Sequence, residues 1–162
     1  MDIAHILTLI REFLVVILVF GALLAYAVVR GRRALMGLIL GLYLALLVSL
    51  KFPYYDVIFG MSSQTDASHT IIRIIIFAIF TGLGAFLFER LLEEEYKESA
   101  FEGISKKAIV AALGTILVMA YSYHVLPLTE FVQPGVVVSN LFAPPEYFFW
   151  MLVLPLLGFL FI

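Results

Sequence analysis

Residues 34–51 read ALMGLILGLYLALLVSLK, a stretch that sets Gly37, Gly41, Ala45 and Ser49 four residues apart among Leu, Ile and Val. Four-residue spacing lines these small side chains up in one row along a helix. In lipid the apolar solvent gives two helices no hydrophobic reason to associate, so van der Waals fit decides, and a small-residue row lets a second backbone come close. The stretch is therefore read as a membrane helix built to pack against another helix.

The rest of the chain supports that setting. Of 162 residues, 64% are hydrophobic and only 14% charged, and mean hydropathy is +1.11, outside the balance of a water-soluble domain. Apolar blocks long enough to cross a bilayer recur throughout, so we expect one integral membrane domain over residues 1–162 with no soluble module. A net charge of -2, with no large Lys/Arg cluster, speaks against nucleic acid as a partner. The absence of cysteine rules out disulfides, thiolate metal sites and cysteine nucleophiles.

Upstream of the central stretch, Phe13 to Val29 runs for 17 residues without a charge and ends at Arg30, Gly31, Arg32 and Arg33. Because the positive charges follow the apolar block, it reads as a retained span rather than a signal peptide. The RGRR segment is a tight turn, which predicts an antiparallel hairpin of spans 13–29 and 34–50, with Gly21 and Ala25 as the small positions of the first helix. Downstream, residues 51–70 form a polar connection with Pro53 and Gly60 as breakers and Asp66 or Ser68 as a helix cap. A third span covers 71–88 and continues into a charged helical extension over 89–106, where Arg90/Glu94 and Glu93/Lys97 are favourable pairs four apart. The fourth span is 107–123, with Ala108, Ala111, Ala112 and Thr115 as its small surface. Residues 124–146 carry Pro127, Pro134, Pro144 and Pro145 and are too broken for a regular span. Within them, Val136 to Phe142 is apolar but short, suited to dip into the interface or to pack on the bundle. Tyr147, Phe148, Phe149 and Trp150 read as an interfacial anchor opening a last helix, 146–162, that Pro155 should kink.

The fold class expected is an all-α integral membrane protein, a compact bundle of five transmembrane helices; the alternative is four, with a re-entrant or interfacial C-terminal helix. Arg30, Arg32, Arg33, Arg90, Lys97, Lys106 and Lys107, seven of the ten Lys/Arg residues, fall on one side of this arrangement. The positive-inside rule makes that side cytoplasmic, with the amino terminus outside and, for five spans, the carboxyl terminus inside. The expected location is a prokaryotic plasma membrane.

Candidate chemistry is sparse. Arg73 enters an apolar run about one turn below the outer surface, where it can snorkel to headgroups, pair with Glu12 across two helices, or contact an anion. His5, His69 and His124 share the outer side with Asp2, Asp56, Asp66, Glu130 and Glu146, but without the dense spacing of a metal site. Ser49, Thr81, Thr115 and Ser122 lack the setting of an activated nucleophile, and Thr81 and Thr115 can bond to the preceding helical turn. No carboxylate or lysine lies mid-span, which weakens a proton-coupled carrier. We read no catalytic, cofactor or metal residues. Glu93, Glu94 and Glu95 are a candidate docking surface, and Gly21, Ala25, Gly37, Gly41, Ala45, Ser49, Ala108 and Ala112 are candidate helix-packing positions.

The order of a first helix, an RGRR turn, a Gly/Ala-rich helix ending near KFPYYDVI and a third span entering a charged segment is similar to the colicin V production protein family, over about Val29 to Ala112. The resemblance implies a small multispanning inner-membrane protein. It stops short of membership: Glu102 to Gly114 lacks the expected Gly-containing acidic signature, the aromatic and Pro-rich ending is extra, and no residue role follows. The expected function is a noncatalytic membrane scaffold or accessory subunit, with lipid, further copies or other membrane subunits as partners. The alternative is a small oligomeric transporter or channel.

Overall fold

A computed structural model describes residues 3–54, 66–91, 100–126 and 135–160; side chains are described from 13, 69, 103 and 135 onward in these segments, to 159 in the last. The described secondary structure is helical: α1 (Ile3–Arg30), α2 (Arg32–Leu50), α3 (Asp66–Leu91), α4 (Ala100–His124), α5 (Val136–Phe142) and α6 (Pro145–Leu160). Four apolar windows, Phe13–Arg30, Arg32–Leu50, His69–Leu91 and Gly103–His124, are long enough to cross a bilayer, and α5 with α6 makes a fifth apolar segment broken by a 76° bend. The chain is an all-α, multispanning integral membrane protein. Helices suit this solvent because each satisfies its own backbone polar groups where no water can.

The helices group into two compact units, Met1–Leu35 with Lys97–Ile162, and Met36–Tyr96. α1 and α2 are separated by Gly31 alone, at φ 91°, a left-handed conformation that suits glycine. Its N–H still donates to Ala27 O at 3.0 Å, so the chain turns without leaving that donor unmet.

In the first unit α4 is the hub, packing against α1, α5 and α6. Val110, Ala111, Leu117, Met119, Ala120 and Tyr121 are buried on it. Met119, Ala120, Val138, Phe142 and Met151 form one apolar cluster, with Phe13, Val15, Val16 and Val19 of α1 against it. α6 runs antiparallel to α4: the Phe148 ring lies tilted against His124 at one end, and Gly158 faces Leu113 further along. In the second unit α2 packs on α3, with Phe52 edge-to-face on Phe80 at 5.7 Å beside the end of α2.

Candidate functional site

Among the described residues, close contacts between helices are found at a glycine seam in the second unit and a polar corner in the first. At the seam, Gly41 of α2 meets α3 backbone directly. A Cβ placed on Gly41 would lie 2.6 Å from Ala85 N and 2.7 Å from Thr81 O; one on Gly84 would lie 2.8 Å from Gly41 Cα. Gly37 is also tight, with Ala85 O and Glu89 N each 3.2 Å from such a Cβ. No side chain larger than hydrogen fits between Gly41 and Gly84 without separating the helices, so dispersion between backbones holds this contact. Ala45 is buried along the same row, and Ser49 is half-buried.

Four Ser and Thr hydroxyls in the described spans bond to their own helices. Thr81 donates to Phe77 O at 2.9 Å, Thr115 to Ala111 O at 2.7 Å, Ser122 to Val118 O at 2.8 Å and Ser49 to Leu46 O at 2.9 Å. Each donor is thereby satisfied within a helical turn.

The corner lies where α4 ends and α5 meets α6. Val125 N and Leu126 N both reach back to Tyr121 O, at 3.0 and 2.8 Å, closing α4. His124 Nε2 is 2.8 Å from Phe142 O, the last carbonyl of α5. A carbonyl can only accept, so Nε2 carries the hydrogen and donates. Tyr123 and Ser139 share a hydroxyl–hydroxyl bond of 3.2 Å, and the Tyr123 ring stacks on Phe142 with centroids 6.3 Å apart. Pro144 cannot supply the N–H that would continue α5, and Pro145 opens α6, where a missing N–H costs nothing. Glu146 follows in the first turn of α6, the favourable end of the helix dipole for an acid.

No family model matches the chain, and no curated protein or solved structure matches it. The likeness of segment order to the colicin V production proteins finds no support there and assigns no role to any residue.

Of the small positions singled out in the sequence, Gly37, Gly41 and Ala45 are buried, and the first two meet α3. Gly21 and Ala25 are exposed, with nothing within 4 Å of a Cβ built on Gly21. On α4, Ala108 is half-buried and Ala112 exposed, while Ala111 and Thr115 are buried. Arg73 is exposed on α3, four residues into its apolar window; the Glu12 side chain lies outside the described residues. So do Glu93, Glu94 and Glu95, and the side chains of Asp2, His5, Asp56, Asp66 and Glu130. Among the described residues no three His, Asp or Glu side chains come together as a metal site.

The corner contacts were not evident from the sequence. His124 carries an outer-side label there, and Tyr123 and Ser139 carry none. Their partners lie 16 and 18 residues away, beyond the reach of any helical spacing rule.

Proposed function

We propose that the chain is a noncatalytic integral membrane scaffold or accessory subunit that holds a membrane protein complex together through close helix packing. The observation that carries this reading is how four hydroxyls in the described spans are used: Ser49, Thr81, Thr115 and Ser122 each donate to a carbonyl of their own helix. A conducting or carrying path needs polar groups facing water or substrate, whereas these hydroxyls are committed to their own backbone. At the same time α1 keeps a broad apolar face, with Leu14, Ile17, Leu18, Val28 and Val29 exposed, available to lipid or to another subunit.

The second reading is a small oligomeric transporter or channel, and the depth of the break between α5 and α6 bears on it. The 76° break between α5 and α6 is the kind of helix interruption that builds substrate sites when it sits at mid-membrane depth.

Native mass spectrometry of the chain extracted gently from its own membrane, at natural abundance, tests the proposal. A reproducible complex with other membrane proteins is the expected outcome and would name the process through the partner. A symmetric ring of identical copies would overturn the accessory reading and make flux assays the next step.

A further inference from the structure

The break between α5 and α6 invites the question of where it sits in the bilayer, and the first unit contains enough contacts to answer it. His124 is the last residue of the apolar window Gly103–His124, and it touches both sides of the break: its Nε2 is 2.8 Å from Phe142 O, and its ring centroid is 4.7 Å from that of Phe148. The corner is therefore level with the end of a membrane-length helix, not with its middle. α6 then descends along α4, and Gly158 reaches Leu113 halfway down that window. A helix bent 76° from α6 lies nearly crosswise to α4.

The two faces of α5 agree with that placement. At about 100° per residue, Val138 and Phe142 fall on one side, and both are buried against the bundle. Val137 and Leu141 share a second side, exposed at 44% and 51%. Val136 and Asn140, also exposed, share the side turned furthest from the core. Residues 135–145 carry no charge, and the exposed apolar surface continues into Tyr147, Phe149 and Trp150, with the last two rings edge-to-face at 5.7 Å. Tyr and Trp at the head of a descending helix are what the glycerol and carbonyl layer of a bilayer selects, since each presents an apolar body and a polar tip.

We infer that α5 and the first turns of α6 form an interfacial foot: α5 lies in the plane of the membrane surface, and its exposed face binds the lipid glycerol and carbonyl layer rather than dipping toward the midplane. Tyr123 and His124 fasten this foot to the end of α4 through Ser139 and Phe142 O. The inference stands whether the chain is a scaffold or a transporter.

The chain has no cysteine, so Val137→Cys and Leu141→Cys each introduce one nitroxide site, at positions already exposed. In phosphatidylcholine vesicles, label depth is read from the balance of collisions with oxygen and with a water-soluble nickel chelate. The foot requires both labels to be shallow and at equal depth. A separation of about 6 Å, the rise over four helical residues, would mean that α5 runs along the membrane normal and would overturn the inference. So would labels hidden from both quenchers, since a protein neighbour would then cover the face. Trp150, the only tryptophan, gives an independent readout in the unaltered chain. Its fluorescence should be quenched more by bromine placed high on the acyl chain than by bromine near the terminal methyl; the reverse order would also reject the foot.

Discussion

Gly82 and Gly84 are two residues apart in α3 and do opposite things. Gly84 lies against Gly41, where a Cβ would come within 2.8 Å of the Gly41 backbone, whereas a Cβ on Gly82 meets nothing within 4 Å. Gly41→Ala should therefore destabilise the α2–α3 contact by about 1–3 kcal/mol, the usual cost of overpacking a fitted site. Gly82→Ala should be neutral or slightly stabilising, because alanine is the better helix former and the space is open. Thermal unfolding of the two variants in bicelles checks the pair; equal midpoints would show that the seam does not depend on backbone contact. Gly158 is an intermediate case, since the atom in the way is the flexible end of Leu113, which can rotate aside. At this scale the four-residue row of Gly37, Gly41 and Ala45 could be read from sequence, because helical periodicity alone brings those positions to one face. Which of Gly82 and Gly84 faces α2 could not, since both sit in an apolar run with no polar face to set its rotation.

Among the elements, the apolar helices were legible because hydropathy and length suffice in a solvent that admits only self-satisfied backbone. The prolines likewise announced a break before α6. The angle of that break and its fastening depend on Tyr123 and His124 meeting residues in a separate helix, and no local pattern encodes such a meeting. α1 also extends back to Ile3, past Arg11 and Glu12, where the charges suggested a border; a helix leaving lipid need not end there, because its backbone bonds are internal. The fastening makes its own prediction. His124→Ala removes the donor to Phe142 O, a bond worth about 0.5–1.5 kcal/mol, so amide exchange across Val136–Phe142 should rise about two- to tenfold. Hydrogen exchange read by mass spectrometry checks this, with α3 as an internal reference expected to stay unchanged. No change in α5 would mean that packing of Val138 and Phe142 holds it unaided.

For the whole molecule, composition was enough to read the class, an all-α multispanning membrane protein, because 64% apolar residues leave few other folds open. Function was not legible to the same degree: the packing role we propose has no fixed residue chemistry, unlike a metal site or a nucleophile. Orientation follows from the bias of Arg and Lys, which we propose places Arg30 to Arg33 in the cytoplasm and the polar connection after α2 outside. Ser63, outside the described residues, is in that connection. Ser63→Cys should react with an impermeant maleimide in intact cells, and labelling only after lysis would reverse the topology. The seam between Gly41 and Gly84 has a further consequence at this scale. Backbone meets backbone there, so the close approach itself uses no ionisable side chain and should respond little to pH or salt. The lateral pressure of the surrounding acyl chains acts on such a contact directly, so the composition of the membrane is expected to tune this joint more than the water on either side.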